Sequence, residues 1–158
     1  MNLKKITEDN IWDIVKLSVN DTQKNFVASN TESILEAYVT ITNNGVALPF
    51  GLYEEDLLVG FVMLGYGTTG DESEPSVATG NYCLWRFMID KNYQGQGLGK
   101  KAMEAILAYI KEWPCGEAEY CWLSYEPENL LAKHLYQSFG FCENGEKCGE
   151  EVVSVCKL

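Results

Sequence analysis

Residues 94–99 read QGQGLG, and two lysines, Lys100 and Lys101, follow directly. Three glycines in six positions let the backbone turn sharply, so that successive N–H groups point into one concavity. A helical pattern begins near Leu98, and the start of a helix adds unpaired N–H groups and the positive end of a dipole. That combination suits an anion, most naturally a diphosphate. The lysines fit this reading, because a cation in a first helical turn costs about 0.3–1 kcal/mol unless an anion sits there. A plain tight turn with solvated lysines is the other reading. Two known phosphate motifs fail by one position. Only three residues separate Gly95 from Gly99 where a P-loop needs four, and Lys100 stands where GxGxxG needs its last glycine.

Other reactive side chains are sparse. The six cysteines form no CxxC pair and no Cys/His metal spacing, so no metal is expected and the thiols read as reduced packing residues of a cytoplasmic protein. His134 is the only histidine and Arg86 the only arginine. Arg86 interrupts an apolar strand, where a charge needs a carboxylate partner. Straight alternation places it opposite to Trp85 and Phe87. The formal net charge of −11 argues against nucleic acid or an anionic membrane as a partner. No apolar run reaches membrane-spanning length, and MNLKKITEDNIW lacks the apolar core of a signal peptide.

The elements that must position these residues follow from periodicity. LKKIT (3–7) reads as a strand, and Asn10 as the cap of a helix through IWDIVKLSV. Thr31 and Ser33 precede a second helix, ILEAYVTIT. LPFGLYEED and LLVGFVMLGYG form a hairpin. NYCLWRFMID (81–90) is dense in aromatic and aliphatic residues and reads as a central strand buried on both faces. A helix through KKAMEAILAYIKEW stops at Pro114. EAEYCWLSYE (117–126) is a strand, NLLAKHLYQSFGF a helix capped by Gly140, and EEVVSVCKL a closing strand. The order β-α-α-β-β-β-α-β-α-β-β gives a single α+β domain over residues 1–158 with a mixed sheet.

QGQGLG between the strand WRFMID and a helix resembles motif A of the GNAT acetyltransferase superfamily, Q/R-x-x-G-x-G/A, through Gln94, Gly97 and Gly99. PENLLAKHLYQSFGF resembles motif B, N-x-x-A-x-x-x-Y-x-x-x-GF, through Asn129, Ala132, Tyr136, Gly140 and Phe141. The element order is similar too. More narrowly, NFVASN, PFGLYEEDLLVGF and WRFMID resemble segments of bacterial spermine/spermidine N-acetyltransferases.

The resemblance implies a GNAT fold of six to seven strands and about four helices, with acetyl-CoA lying in a V between strands 81–90 and 117–126. It implies that the main chain of Met88 and Ile89 holds the pantetheine and polarises the thioester carbonyl. Gln94, Gly95, Gln96, Gly97, Leu98, Gly99 and Lys100 would hold the pyrophosphate, Asn129 the pantetheine arm, with Lys133 beside the cofactor. Tyr136 matches the tyrosine that protonates the departing thiolate. Many relatives carry a glutamate as base on the central strand, where Trp85 stands here. His134 lies roughly 200° around the helix from Tyr136 and faces away, which leaves Glu126 as one candidate proton acceptor. Phe26, Tyr82 and Trp85 are expected to line the acceptor channel, and Asp21, Glu32, Glu143, Glu146, Glu150 and Glu151 lie near it in the chain. Carboxylates with aromatic residues suit a flexible polycation, so a diamine or polyamine is the expected acceptor. Aminoglycosides, amino acids and protein N-termini are the rivals among enzymes, and a non-catalytic acetyl-CoA-binding module is the rival of another class. A homodimer is compatible with the resemblance, because such proteins often pair through terminal strands.

Overall fold

A computed structural model describes residues 1–158. Seven strands form one sheet in the order β1-β2-β3-β4-β5-β7-β6. They are β1 (Asn2–Lys5), β2 (Ala47–Glu54), β3 (Leu57–Tyr66), β4 (Tyr82–Ile89), β5 (Tyr120–Tyr125), β6 (Cys142–Cys148) and β7 (Glu151–Lys157). Only β4 and β5 run parallel, and every other neighbouring pair is antiparallel. The helices are α1 (Ile11–Ile14), α2 (Asn30–Thr42), α3 (Leu98–Ile110) and α4 (Leu130–Gln137). The α+β expectation of a mixed sheet with about four helices therefore holds.

The two faces of the sheet carry separate cores. On one, Ala102, Met103, Ile106 and Ile110 of α3 pack on Val62, Leu64 and Leu84, the i, i+4 spacing that puts apolar residues on one helical stripe. On the other, Ile14 of α1 and Ala37 of α2 pack on Phe61, Met63 and Met88. The strand buried almost throughout is β3. The middle of β4, expected to be buried on both faces, is only half-buried from Trp85 to Phe87, because β4 parts from its next neighbour there.

The first helix is shorter than its periodicity predicts and ends after Ile14. Asn10 does not cap it. Its amide accepts from Thr7 N (2.8 Å) and donates to the Lys5 carbonyl (3.0 Å). Long-range bonds then take the chain over: Ser18 N donates to the buried Asp90 carboxylate (2.8 Å), and Lys91 N donates to Ser18 O (2.8 Å). Residues 15–29 thus cross the sheet as an irregular segment with one 3-10 turn at Asp21–Gln23. α2 begins earlier than predicted, on a capping box. Glu32 N donates to Ser29 Oγ (3.2 Å), while Ser29 N donates to the Glu32 carboxylate (2.9 Å). α4 ends as expected, with Gly140 at φ +86° in the left-handed region.

Candidate active site

β4 and β5 are paired only at Tyr82↔Cys121 and Cys83↔Trp122. Beyond those two rungs the strands diverge into a fork. A bulge shapes the β4 arm: Leu64 faces Leu84 and Met63 faces Arg86, so Trp85 is the extra residue. The bulge overturns the straight alternation expected for Arg86, which shares the α2 face with Trp85. Its guanidinium donates to Glu36 of α2 at 2.8 Å, the ion pair its strand position called for. Asp90 N donates to Val59 O of β3 (2.9 Å). An antiparallel ladder alternates every residue, so the main chain of Met88 also faces β3, while that of Phe87 and Ile89 faces the fork. Of the expected pair Met88 and Ile89, only Ile89 presents its backbone to the opening, with Phe87 in place of Met88.

The glycine run forms the turn from β4 into α3. Gly95 and Gly97 both have φ +76°, and Gly97 is the residue before the helix. A Cβ placed on either would meet nothing within 4 Å. The space above these amides is open, and the chain there fits an anion held by main-chain N–H groups. Gly99 brings α3 close to α4, since a Cβ there would lie 3.6 Å from Leu135 Cδ2. Lys100 lines the cleft, whereas Lys101 turns away to pair with Glu54. Leu98 is buried and anchors the helix start. Gln96 is exposed and outside the cleft wall.

Gln94 does not offer its side chain to an anion. Its Nε2 donates to Ile89 O (3.0 Å) and to Gln23 Oε1 (3.0 Å), and its Oε1 accepts from Asn20 Nδ2 (3.0 Å). The side chain therefore latches the irregular 15–29 segment onto the turn.

α4 closes the cleft on the other side of the fork. Asn129 caps it, its Oδ1 accepting from Ala132 N (3.3 Å), which leaves the amide nitrogen for the cleft. The Tyr136 ring stands against Tyr125 (5.9 Å between centroids) and Phe141 (6.0 Å) in the cleft wall. Burial, then the charge of Glu151 and the Tyr125 phenol, push the Tyr136 phenol above its ordinary range. Lys133 is drawn out of the cleft by Glu143 of β6 (2.7 Å).

The cleft holds about 1050 Å³ and reaches from the glycine turn to Phe26 and Trp85. A second cavity of about 220 Å³ lies beyond it, under the loop of residues 67–74. Leu84, Trp85, Arg86, Ser124 and Glu151 line both, so the two meet at the fork. Several expected acceptor residues are elsewhere. Tyr82 is fully buried, its hydroxyl donating to Gly116 O (2.9 Å) and accepting from Cys115 N (2.9 Å). Glu126 and Glu150 line neither cavity. Asp21 pairs with Lys24, and Glu146 accepts from Ser76 N. Glu32 lines the cleft, but its carboxylate is committed to the α2 cap. His134 is exposed, as its helical position predicts. The carboxylate at the junction is Glu151, which accepts from the Ser124 hydroxyl. Periodicity alone does not separate it from Glu150. The pairing of β7 with β5, Ser124 opposite Val153, is what orients it.

Residues 12–141 match the family described as "Acetyltransferase (GNAT) family". Two Bacillus subtilis proteins are each 37% identical over 147 residues, covering 92% of this chain and 90% of theirs. They are the "probable spermine N(1)-acetyltransferase" of subsp. natto strain BEST195 and the spermine/spermidine N(1)-acetyltransferase of strain 168. Among solved structures, the aminoglycoside acetyltransferase AAC(6')-Ib with coenzyme A superposes at a TM-score of 0.78 and 17% identity, over 98% of this chain and 93% of its own. PaiA N-acetyltransferase from Thermoplasma acidophilum, with coenzyme A, superposes at 0.65 and 15% identity, over 99% and 98%. At such identities these structures speak to the fold alone.

Proposed function

We propose that this chain, which belongs to the acetyltransferase (GNAT) family, moves the acetyl group of acetyl-CoA onto a primary amine of a diamine or polyamine such as spermidine. It is an acetyl-CoA-dependent N-acetyltransferase. The acceptor class rests on one observation, the 37% identity to the Bacillus spermine and spermidine acetyltransferases across nine-tenths of both chains.

Acetyl-CoA supplies an activated acetyl thioester. The main-chain amides of Gly95 to Gly99 would hold its pyrophosphate with the Lys100 side chain beside them, and the Asn129 amide its pantetheine arm. The fork-facing amides of Phe87 and Ile89 are placed to polarise a carbonyl, and fixed donors of that kind usually supply the largest part of catalysis. Tyr136 is the proton donor to the departing sulfur. A phenol is protonated at neutral pH even at its ordinary pKa near 10, and burial strengthens its hold on the proton, so transfer waits for a thiolate to develop beside it. Half-buried Phe26 and Trp85 line the approach to the fork and suit a cationic alkyl chain.

The test is release of the CoA thiol with a panel of amines. Spermidine, spermine and short diamines are expected to outpace aminoglycosides and amino acids, with a rate that falls as salt is raised. An aminoglycoside preference would overturn the acceptor class. Tyr136→Phe is expected to lose about 10²–10⁴-fold in turnover while acetyl-CoA affinity is kept. Unchanged turnover would remove Tyr136 from its role.

A further inference from the structure

The position where many relatives carry a glutamate base holds Trp85 here, and Trp85 is the bulged residue of β4. Its indole faces the α1–α2 side of the sheet, with Cys83 and Met63. Trp122 of β5 and Val153 of β7 pack on that same face. Two residues along each strand, Ser124 and Glu151 share it. Leu123 and Tyr125, by contrast, join the core beneath α3 and α4, against which Tyr136 packs. Tyr136 and Glu151 therefore flank the fork from opposite faces of the sheet. Their closeness also registers electrostatically, since Glu151 is one of the groups raising the Tyr136 phenol.

Glu151 is the only carboxylate among the residues that line both cavities. Around it stand Ser124 of β5, Cys148 of β6, Tyr136 of α4, Arg86 of β4, and Asp71 and Glu74 of the 67–74 loop. The one cation among them, Arg86, is held by Glu36. Glu74 and Asp71 are occupied by their own loop, Glu74 accepting from Thr69 N (3.0 Å) and Asp71 from Ser73 N (2.8 Å). No other free base reaches the junction.

We propose that Glu151 takes the proton from the acceptor ammonium at the fork. The assignment rests on the acetyl-transfer reading above. One proton passes from the ammonium to the Glu151 carboxylate. The freed nitrogen lone pair forms the C–N bond as the C–S bond breaks, with the electron pair leaving on sulfur. Tyr136 gives its phenol proton to that sulfur. The second nitrogen proton, released as the amide forms, returns to the Tyr136 phenolate. Glu151 passes its proton to solvent through the second cavity.

Glu151→Gln tests this, with rates taken across pH 6–10 and diamine binding to the CoA-loaded protein followed by calorimetry. Turnover at pH 7 is expected to fall by about 10²-fold or more. The residual rate should climb about tenfold per pH unit toward the amine's own pKa near 10, while the wild type levels off lower. Diamine affinity should drop several-fold and acetyl-CoA affinity should not move. Ser124→Ala keeps the carboxylate but removes the hydroxyl that orients it, so turnover should fall several-fold while acetyl-CoA affinity does not move. This variant also serves if the glutamine protein does not fold. Glutamine turnover within threefold of wild type, with the same pH profile, overturns the assignment and leaves acetyl transfer standing. Turnover and diamine KM of the Ser124 variant both equal to wild type overturn it equally. A wild type inert toward every amine overturns the acetyl-transfer reading and this assignment together.

Discussion

At the scale of single residues, the site divides its labour between backbone and side chain. The proposed anion cradle consists of main-chain N–H groups, while the side chain that motif A names, Gln94, is spent on a latch. Gly97 is the sharpest test of the cradle. A side chain there must hold φ +76° and would project into the open space above the amides. Gly97→Ala is expected to cost about 1–2 kcal/mol of stability from the left-handed conformation and to weaken acetyl-CoA binding by about tenfold or more. Calorimetry and thermal melting separate the two effects. Affinity equal to wild type would place the pyrophosphate elsewhere. In the proposed mechanism the proton transfers fall to Tyr136 and Glu151, one on each face of the fork: Glu151 takes the ammonium proton, and Tyr136 relays the other from nitrogen to sulfur.

At the scale of elements, the segment between α1 and α2 is the decisive piece. It carries Phe26 over the cleft and is tied to the β4–α3 turn through Ser18–Asp90, Asn20–Gln94 and Gln23–Gln94. Gln94→Ala removes two of these ties without touching the amides of the cradle. The expected result is a several-fold rise in KM for the amine with acetyl-CoA affinity changed less than twofold, and the reverse pattern would return Gln94 to the phosphate. Much of this level was legible in the sequence. Glycine spacing and the apolar stripe of α3 are local signals, as are the hairpin of β2 and β3 and the Gly140 cap, and each landed where it was expected. The Ser29–Glu32 box was also local, but Thr31 and Ser33 drew the helix start four residues late, to Ile34 instead of Asn30. What stayed hidden depends on distant partners. α1 is cut short by a carboxylate 72 positions away. Arg86 changes face because β3 leaves Trp85 unmatched. Glu151 faces the fork, and Glu150 does not, because of how β7 registers on β5.

At the scale of the whole molecule, the sheet is two parts joined by two rungs. β1 to β4 form one antiparallel block, and β5, β7 and β6 form the other. The Tyr82 hydroxyl fastens the closed end by tying β4 to the chain before β5, while the open end is spanned by no backbone pairing. A ligand lodged there adds cross-links between the blocks, so acetyl-CoA at about 100 times its Kd should stabilise the fold by about 2.7 kcal/mol. For a chain of this size that is roughly 5–11 °C in Tm. Amide exchange should slow in Phe87, Ile89 and the 94–100 turn and stay unchanged in β1 and β6, whereas uniform slowing would count against binding in the fork. Discharging the spent coenzyme then undoes a brace of the architecture with every turnover. Starved of thioester, the protein spends its time as a half-sprung clasp, and its lifetime in a proteolytic environment becomes a readout of how well it is supplied.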